Sequence, residues 1–380
     1  MTHRRSRRSS DAAGTPGTAV AAGRRARRSD RPARTVFAAS LTLFGVCVAV
    51  TTLVGTPWVV FAPGPVVDTL GRVGGRQVVA VTGRPTYPSA SRLDLTTVST
   101  TLPGTTVDLW QAAAAWWDPH EDLEPDRLVY PASQTAAQAA AEGQQQMAGA
   151  QSSAVVAAAR ELGLPIRAQV GSVAAGSPAA GRLRAGDVLL AVDGTPAGSS
   201  AAVVRVVRRL RPGAVVELQL LRGGTQRAVA VRAAHGPGGD SGVPTTSPYL
   251  GVGLQDAAPS VTADIDLGQQ IGGPSAGTMF ALAIVDRLTP GSLAGTAHVA
   301  GTGTITGDGT VGVIGGVRQK IAGARAAGAT FFLVPSGNCA EAATAAVPGI
   351  RLVRVATLAG AVAALHVIAA GSGTLPGCTS

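Results

Sequence analysis

Of the 32 lysine and arginine residues in this chain, Lys320 is the only lysine. A guanidinium stays protonated at any working pH, whereas a buried amine can lose its proton and act as a base. A strong arginine bias also leaves a stray lysine by chance, so the neighbourhood has to decide. Lys320 falls in the first turn of a helix expected over Val317–Ala327, just after Gly315-Gly316. A helix N-terminus and apolar neighbours both disfavour an ammonium ion, so the lysine pKa should fall. A neutral lysine needs a nucleophile. The run Ile271-Gly-Gly-Pro-Ser-Ala-Gly277 opens a helix expected over Thr278–Leu288. Pro274 suits the first helical position, and Ser275 would sit among free backbone amides able to hold an oxyanion. Taken alone this is an ordinary helix start.

The elements between the two residues supply a route. Val299–Ile305 reads as a strand, Asp308-Gly309 as a hairpin turn and Val311–Ile314 as the returning strand. Helix, strand, hairpin, helix can bring two helix starts together. A serine beside a neutral lysine would carry out acyl transfer.

Other chemistries find no footing. A phosphate-binding Walker loop needs lysine before serine or threonine, but Lys320 precedes Ile321. There is no HExxH, and His3, His120, His235, His298 and His366 are scattered. No cofactor and no metal are implied. His298 reads as a packing or surface residue, and Asp264 and Asp266 as part of a solvated loop.

The net charge of +10 is concentrated at one end, since residues 1–34 hold ten arginines and two aspartates. They lie among Ser, Gly, Pro and Ala, which cannot build a core, so a disordered tail is expected. A nucleic-acid partner would need a basic stripe with aromatics on folded elements, and none is present. From Thr35 to Val67 there is no charge, and Val36–Val54 is apolar over enough length to span ~30 Å of hydrocarbon. Trp58 would follow as an interfacial anchor, and the arginines would hold the N-terminus in the cytoplasm. A cleaved signal peptide is the alternative, although Gly55-Thr56-Pro57-Trp58 makes a poor cleavage site. The rest of the chain would then be extracytoplasmic, where disulfides form. Cys47 lies in the span. Cys339 and Cys378 could form a bridge, tying down a tail with nothing to bury; two unpaired cysteines are the alternative.

Beyond the span, Val78–Val81 and Leu93–Val98 read as strands, and Trp110–Trp117 and Ser133–Leu162 as helical. The second helix would be interrupted at Gly143 and Gly149. A compositional change follows Gly163-Leu164-Pro165. The run GSPAAGRLRAGDVLLAVDG (residues 176–194), a helix at Ser200–Leu210 and strands at Val215–Leu221 and Arg227–Val231 resemble a bacterial PDZ domain. Such domains take up an extended peptide as an added strand. The carboxylate-binding loop is expected at Gly163–Ile166, where the sequence matches poorly. His235–Pro248 reads as a linker, and Tyr249–Leu254 as the start of a further αβ region.

GPSAG (Gly273–Gly277), VAGTGTI (Val299–Ile305), VGVIGGVRQKIAGARAAGA (Val311–Ala329) and FFLVPSGN (Phe331–Asn338) resemble, in order and spacing, the proteolytic domain of the Lon family of serine peptidases. The resemblance implies Ser275 as nucleophile, Lys320 as base, and Thr302 holding the lysine by a hydrogen bond. Gly273, Pro274 and Ala276 would be supporting residues. Gly272 and Thr304 depart from the aspartate and glutamate that many members carry.

The implied fold is a mixed α/β, Lon-type domain with an inserted PDZ domain and one N-terminal transmembrane helix, similar to the bacterial membrane-anchored Lon-like PDZ proteases. The expected divisions are a basic cytoplasmic tail (1–34), an anchor (35–58) and the N-terminal part of the Lon-like domain (59–162). The PDZ domain (163–234), a linker (235–248), the catalytic part (249–370) and a tail (371–380) follow. The implied activity is an ATP-independent endopeptidase of the cell membrane acting on extracytoplasmic proteins or peptides. Membrane lipid would be met through one helix, and a homo-oligomeric, hexameric ring is implied. The alternative is a non-catalytic PDZ binding protein on a degenerate Lon-like scaffold.

Overall fold

The computed structural model describes residues 31–131, 133–239, 242–268, 271–345 and 347–378. Residues 1–30 of the expected basic tail lie outside them. The chain divides into two units, Met1–Val54 and Gly55–Ser380. In the first, α1 (Arg31–Leu53) contains the apolar stretch Thr35–Leu53, with a mean hydropathy of 2.1 and no part of it buried. Its threonines do not spoil it. Thr42, Thr51 and Thr52 donate to the carbonyls of Ala38, Cys47 and Val48 one turn back, which satisfies each hydroxyl within the helix. Length and composition fit both an anchor and an N-terminal signal sequence.

The second unit begins with β1 (Gly55–Thr56) and β2 (Trp58–Asp68). Pro63 and Pro65 hide β2 from a strand pattern. The strand absorbs them in a register shift between Pro63 and Val66, where a ladder amide is not needed. Next come β3 (Val79–Thr82), β4 (Arg92–Thr100), β5 (Val107–Asp108), α2 (Leu109–Trp117), β6 (Asp122–Pro125) and α3 (Ala136–Glu161). Capping boxes start both helices, Asp108 with Gln111 and Thr135 with Gln138. α3 runs unbroken through Gly143 and Gly149, contrary to the expected interruptions. At Gly143 another segment meets the helix, and the Gly143 carbonyl accepts from Gly273 N at 2.8 Å.

A separate sheet follows, made of β7 (Arg167–Val173), β8 (Val188–Val192), β9 (Val215–Arg222), β10 (Thr225–Arg232) and β11 (Val252–Ala257), in the order β10-β9-β8-β7-β11. α4 (Ser200–Val207) covers it, and Leu189, Val203, Leu218, Leu220 and Leu250 form its core. Tyr249–Leu254 was expected to open the next region. Instead Leu250 enters this core and β11 pairs antiparallel with β7, so the sheet reaches to Ala257, past the expected boundary at 234. Without β11, β7 would be an open edge.

The remaining elements are β12 (Thr262–Ile265), α5 (Gly277–Leu288), β13 (His298–Gly301), β14 (Thr304–Ile305), β15 (Val311–Gly312), α6 (Val317–Ala326), β16 (Phe331–Pro335), α7 (Cys339–Ala343), β17 (Arg351–Val355) and α8 (Leu358–Ala370). The apolar run Val353–Ala370 is divided between two elements: Arg351–Val355 pairs with β16, and Thr357 caps the helix that follows. The first sheet has the order β17-β16-β13-β4-β2-β6. It joins strands from both ends of the unit, and in sequence the second sheet lies between them. Its faces alternate. Leu93, Val299, Leu333 and Val353 pack with Met279 and Phe280 of α5, while Ala300, Phe332 and Val334 pack with Val317 and Ile321 of α6. The two helices therefore cover opposite faces.

Cys339 and Cys378 are joined by a disulfide with a Cα–Cα distance of 5.0 Å. The tail it ties is not idle, since Leu375 is buried and the Pro376 carbonyl accepts from Arg354 N at 2.8 Å. By loop-closure entropy the bridge contributes on the order of 3–4 kcal/mol. Cys378→Ser should lower unfolding stability by roughly that amount in urea. Added reductant should then change wild-type stability but not that of the variant; equal reductant sensitivity in both would refute the assignment.

Candidate active site

Ser275 lies in a loop held from three sides. Gly273 adopts φ +89°, which suits glycine alone, and its amide bonds to α3 at Gly143. The Ser275 carbonyl accepts from Gly303 N at 2.8 Å and from Thr302 Oγ1 at 3.1 Å. The Gly303 carbonyl in turn accepts from Thr278 N at 3.0 Å. This bracing is why the expected strand Val299–Ile305 divides, as Thr302 and Gly303 leave the sheet to hold the serine loop. α5 starts at Gly277, with Ala276 as its N-cap. Pro274 is therefore not the first helical residue; its carbonyl receives Gly277 N at 3.4 Å in the turn before the helix. The Gly277 and Thr278 amides are spent in these bonds. The Ser275 and Ala276 amides have no partner among the described residues, so both N–H groups are available to a ligand. Ser275 is half-buried.

Lys320 stands in the first turn of α6, its amide bonded to the Gly316 carbonyl at 3.1 Å. Gly316 adopts φ +65° and lies against Val98 near the end of β4. Both helix starts are thus at the carboxyl end of the parallel strands, α6 beside the end of β4 and α5 beside Thr302 and Gly303 just past β13. The Lys320 side chain is 4% exposed. Burial lowers its pKa from 10.5 to about 8, against an opposing pull from the Glu341 carboxylate.

Thr302 is fully buried. Its hydroxyl donates to the Ser275 carbonyl, a partner that the sequence does not indicate. A hydroxyl donates once, so this bond fixes the serine loop and leaves only its lone pairs facing elsewhere.

Further side chains hold these elements in place. Asn338 is buried and clamps the backbone of Ile314 with two 2.9 Å bonds, and it donates to Glu341 at 3.4 Å. Gln319 Nε2 donates to Asp122 at 2.5 Å, and Arg318 reaches Asp122 at 3.4 Å and the Pro119 carbonyl at 3.3 Å. These bonds fasten the first turn of α6 to β6. Asn338 closes the FFLVPSGN run and was legible as part of it, whereas Asp122 carries no local signal.

The departure at Gly272 has a structural counterpart. A Cβ there would meet the Gly143 backbone at 3.1–3.3 Å, so a side chain at this position requires the loop or α3 to give by a few tenths of an ångström. Thr304 pairs with Gly312 in the β14–β15 hairpin. His298 bonds through Nε2 to the buried Asp94 at 2.6 Å, a cross-strand contact at the far end of β13 from Thr302. Asp264 pairs with Ala80 in β12, a strand rather than a loop, and Asp266 meets Arg76 at 3.0 Å.

A cavity of about 570 Å³ lies between α4 and β11, lined by Val203, Val204, Val207, Leu250, Val252 and Leu254. Gly163–Ile166, the expected peptide loop, does not enter it. Ile166 packs with Val156 and Ala159 of α3 and with Ala258. The segment that leads into the groove's strand is Tyr249-Leu250-Gly251, with Gly251 at φ +75°. β11 is the last strand of its sheet and offers an open edge beside α4.

Residues 269–352 match the Lon protease C-terminal proteolytic domain, and residues 144–232 match the PDZ domain. A curated relative, the probable periplasmic serine endoprotease DegP-like of Halomonas elongata, is 45% identical over 60 residues, which is 16% of this chain and 13% of the relative. The chain thus spans only a small part of that relative's length. Among solved structures, the PDZ domain of the SdrC-like protein from Listeria innocua is 22% identical, covering 23% of this chain and 92% of that one, with a TM-score of 0.21. The serine endoprotease from Yersinia pestis is 32% identical over 18% of this chain and 29% of that one, with a TM-score of 0.16. The chain combines a PDZ domain with a Lon-type proteolytic domain, the pairing of a Lon-like PDZ protease.

Proposed function

We propose that this chain is a membrane-anchored, ATP-independent serine endopeptidase working through a Ser275–Lys320 dyad. The observation that carries this reading is a buried lysine with a pKa of about 8, set at the same end of one sheet as a serine loop braced by Thr302 and Gly303. Neutral Lys320 takes the Ser275 hydroxyl proton as the oxygen attacks the scissile carbonyl. The Ser275 and Ala276 amides receive the oxyanion, and the protonated lysine then gives its proton to the leaving amine. Water, activated by the same lysine, hydrolyses the acyl-enzyme.

The catalytic part in this reading is discontinuous, with the PDZ part inserted before residue 258. The open edge of β11 receives an extended peptide end as an added strand, and the α4 groove takes its apolar side chains. The helix α1 anchors the chain with its N-terminus in the cytoplasm and the site outside. The Cys339–Cys378 bridge agrees with an oxidising compartment.

A serine-reactive fluorophosphonate should label Ser275 in the wild type and nothing at that position in Ser275→Ala. Absence of labelling, together with no cleavage of any unfolded protein, would leave a binding role only. The groove has its own test. Val204→Glu puts a charge into an apolar lining and should raise KM about tenfold for a protein with an apolar C-terminus. Cleavage of a short internal peptide should be unchanged. Equal loss on both substrates would show that the groove does not deliver substrate.

A further inference from the structure

The four tryptophans of this chain, Trp58, Trp110, Trp116 and Trp117, are gathered in one region and are 39%, 70%, 79% and 84% exposed. Three lie on α2, whose only buried residue is Ala115. Trp110 and Trp117 are seven positions apart, as are Leu109 and Trp116, so the helix shows one broad aromatic stripe to solvent. A tryptophan offers roughly 150–250 Å² of surface, and a soluble monomer rarely leaves several such residues contiguous and uncovered.

The position of the patch along the chain points to its occupant. Asp108, the N-cap of α2, pairs with Gly55, and Thr56 pairs with Val107. Only Val54 separates Gly55 from Leu53, the end of the apolar span. An amphipathic indole, apolar in body with one N–H, is the side chain most at home at the lipid–water boundary. Charge does not supply the attraction, because Asp108, Asp118, Glu121 and Asp122 flank the helix and would repel an anionic surface.

We infer that α2 is an interfacial helix, its tryptophans seated among the headgroups and upper acyl chains of the bilayer that α1 crosses. This rests on the anchor reading above. Through the bonds of Arg318 to the Pro119 carbonyl and of Gln319 to Asp122, the seated segment is tied to the turn that carries Lys320. Seating the helix therefore fixes how the candidate site stands over the lipid.

The test uses the full chain reconstituted in phosphatidylcholine vesicles. Because all four tryptophans lie in this region, intrinsic emission reports on it alone. Replacing the lipid with phosphatidylcholine brominated near the top of its acyl chains should quench emission about twofold, and aqueous acrylamide should quench poorly. The variant Trp110→Ser/Trp116→Ser/Trp117→Ser, which keeps Trp58, should lose most of the bromolipid quenching yet stay with the vesicles after an alkaline carbonate wash. A single Trp117→Phe, which disturbs folding least, should lose a proportionate part. Carbonate-resistant chain with no bromolipid quenching would overturn the seat and leave the anchor standing. If acrylamide also fails to quench in that case, a second copy covers the patch instead. Chain stripped by carbonate but still quenched while bound would refute the anchor and support the seat. Chain neither retained nor quenched would overturn both. Adding anionic lipid should weaken quenching; strengthening would show that the attraction is electrostatic and the inference wrong.

Discussion

Ser275→Ala and Lys320→Arg are each expected to lower kcat/KM on a short peptide by at least about a thousandfold. The serine change removes the nucleophile. The arginine change keeps a positive charge and comparable bulk but cannot supply a neutral base. Because the site is buried, Lys320→Arg also risks misfolding, so Lys320→Met serves as its companion: apolar, close in length and compatible with the surrounding Val317 and Ile321. All three variants should keep the wild-type circular dichroism spectrum or, for the arginine, lose it visibly. Folded Lys320→Arg with near-normal activity would sink the dyad mechanism. Because the serine and lysine act as a unit, the double variant should be no worse than either single one.

Lys320 should also set the pH behaviour of both rate and stability. With a pKa of about 8, only about a tenth of the lysine is neutral at pH 7. Peptide cleavage should rise about tenfold between pH 7 and pH 9 and level off above that. Glu341→Gln removes the carboxylate that holds the pKa up, so the rise should move to lower pH and activity at pH 7 should increase. A pH profile unmoved by that change would show that the titrating group is not Lys320.

Stability follows with a definite sign. The folded pKa lies below the unfolded value of 10.5, so the unfolded chain binds this proton more tightly. The folded state therefore carries a penalty of about 3 kcal/mol below pH 8, which shrinks as pH rises and is gone above 10.5. Lys320→Met should accordingly be more stable than the wild type by about that amount in urea at pH 7. The gain should fade by pH 11. An inactive variant that is more stable at neutral pH is the signature of a base kept in the core for chemistry. A Lys320→Met chain no more stable than the wild type would mean that the lysine is not desolvated.

Short-range patterns already contained the elements that carry the site. The lone lysine after Gly315-Gly316, the Gly-Pro-Ser-Ala-Gly loop before an apolar helix, and the hairpin at Asp308-Gly309 are local signals, set by turn chemistry and helix starts. The PDZ run was legible for the same reason. Errors fell where local signals conflict with distant partners. Gly143 looks like a helix breaker because glycine costs helix stability; in the fold it is the place where the Gly272–Gly273 loop touches α3. Pro63 and Pro65 argue against a strand, yet β2 holds its place because β4 and β6 pair with it on both sides. β11 reads as the start of a new region, but an open edge of β7 recruits it.

What the sequence by itself determined is therefore chemistry and order: one lone lysine, one serine at a helix start, two sets of strands and an apolar helix ahead of them. Only the tertiary structure decided how these are held. It binds the Thr302 hydroxyl to the Ser275 carbonyl, leaves the Ser275 and Ala276 amides without partners among the described residues by occupying their neighbours, and sets Glu341 near Lys320 through Asn338. It also gathers Trp58 and the α2 tryptophans, far apart in sequence, through the pairing of Gly55 with Asp108. A hydrogen bond or a desolvated charge depends on which atoms meet after folding, and residues tens of positions apart leave no local trace of that meeting.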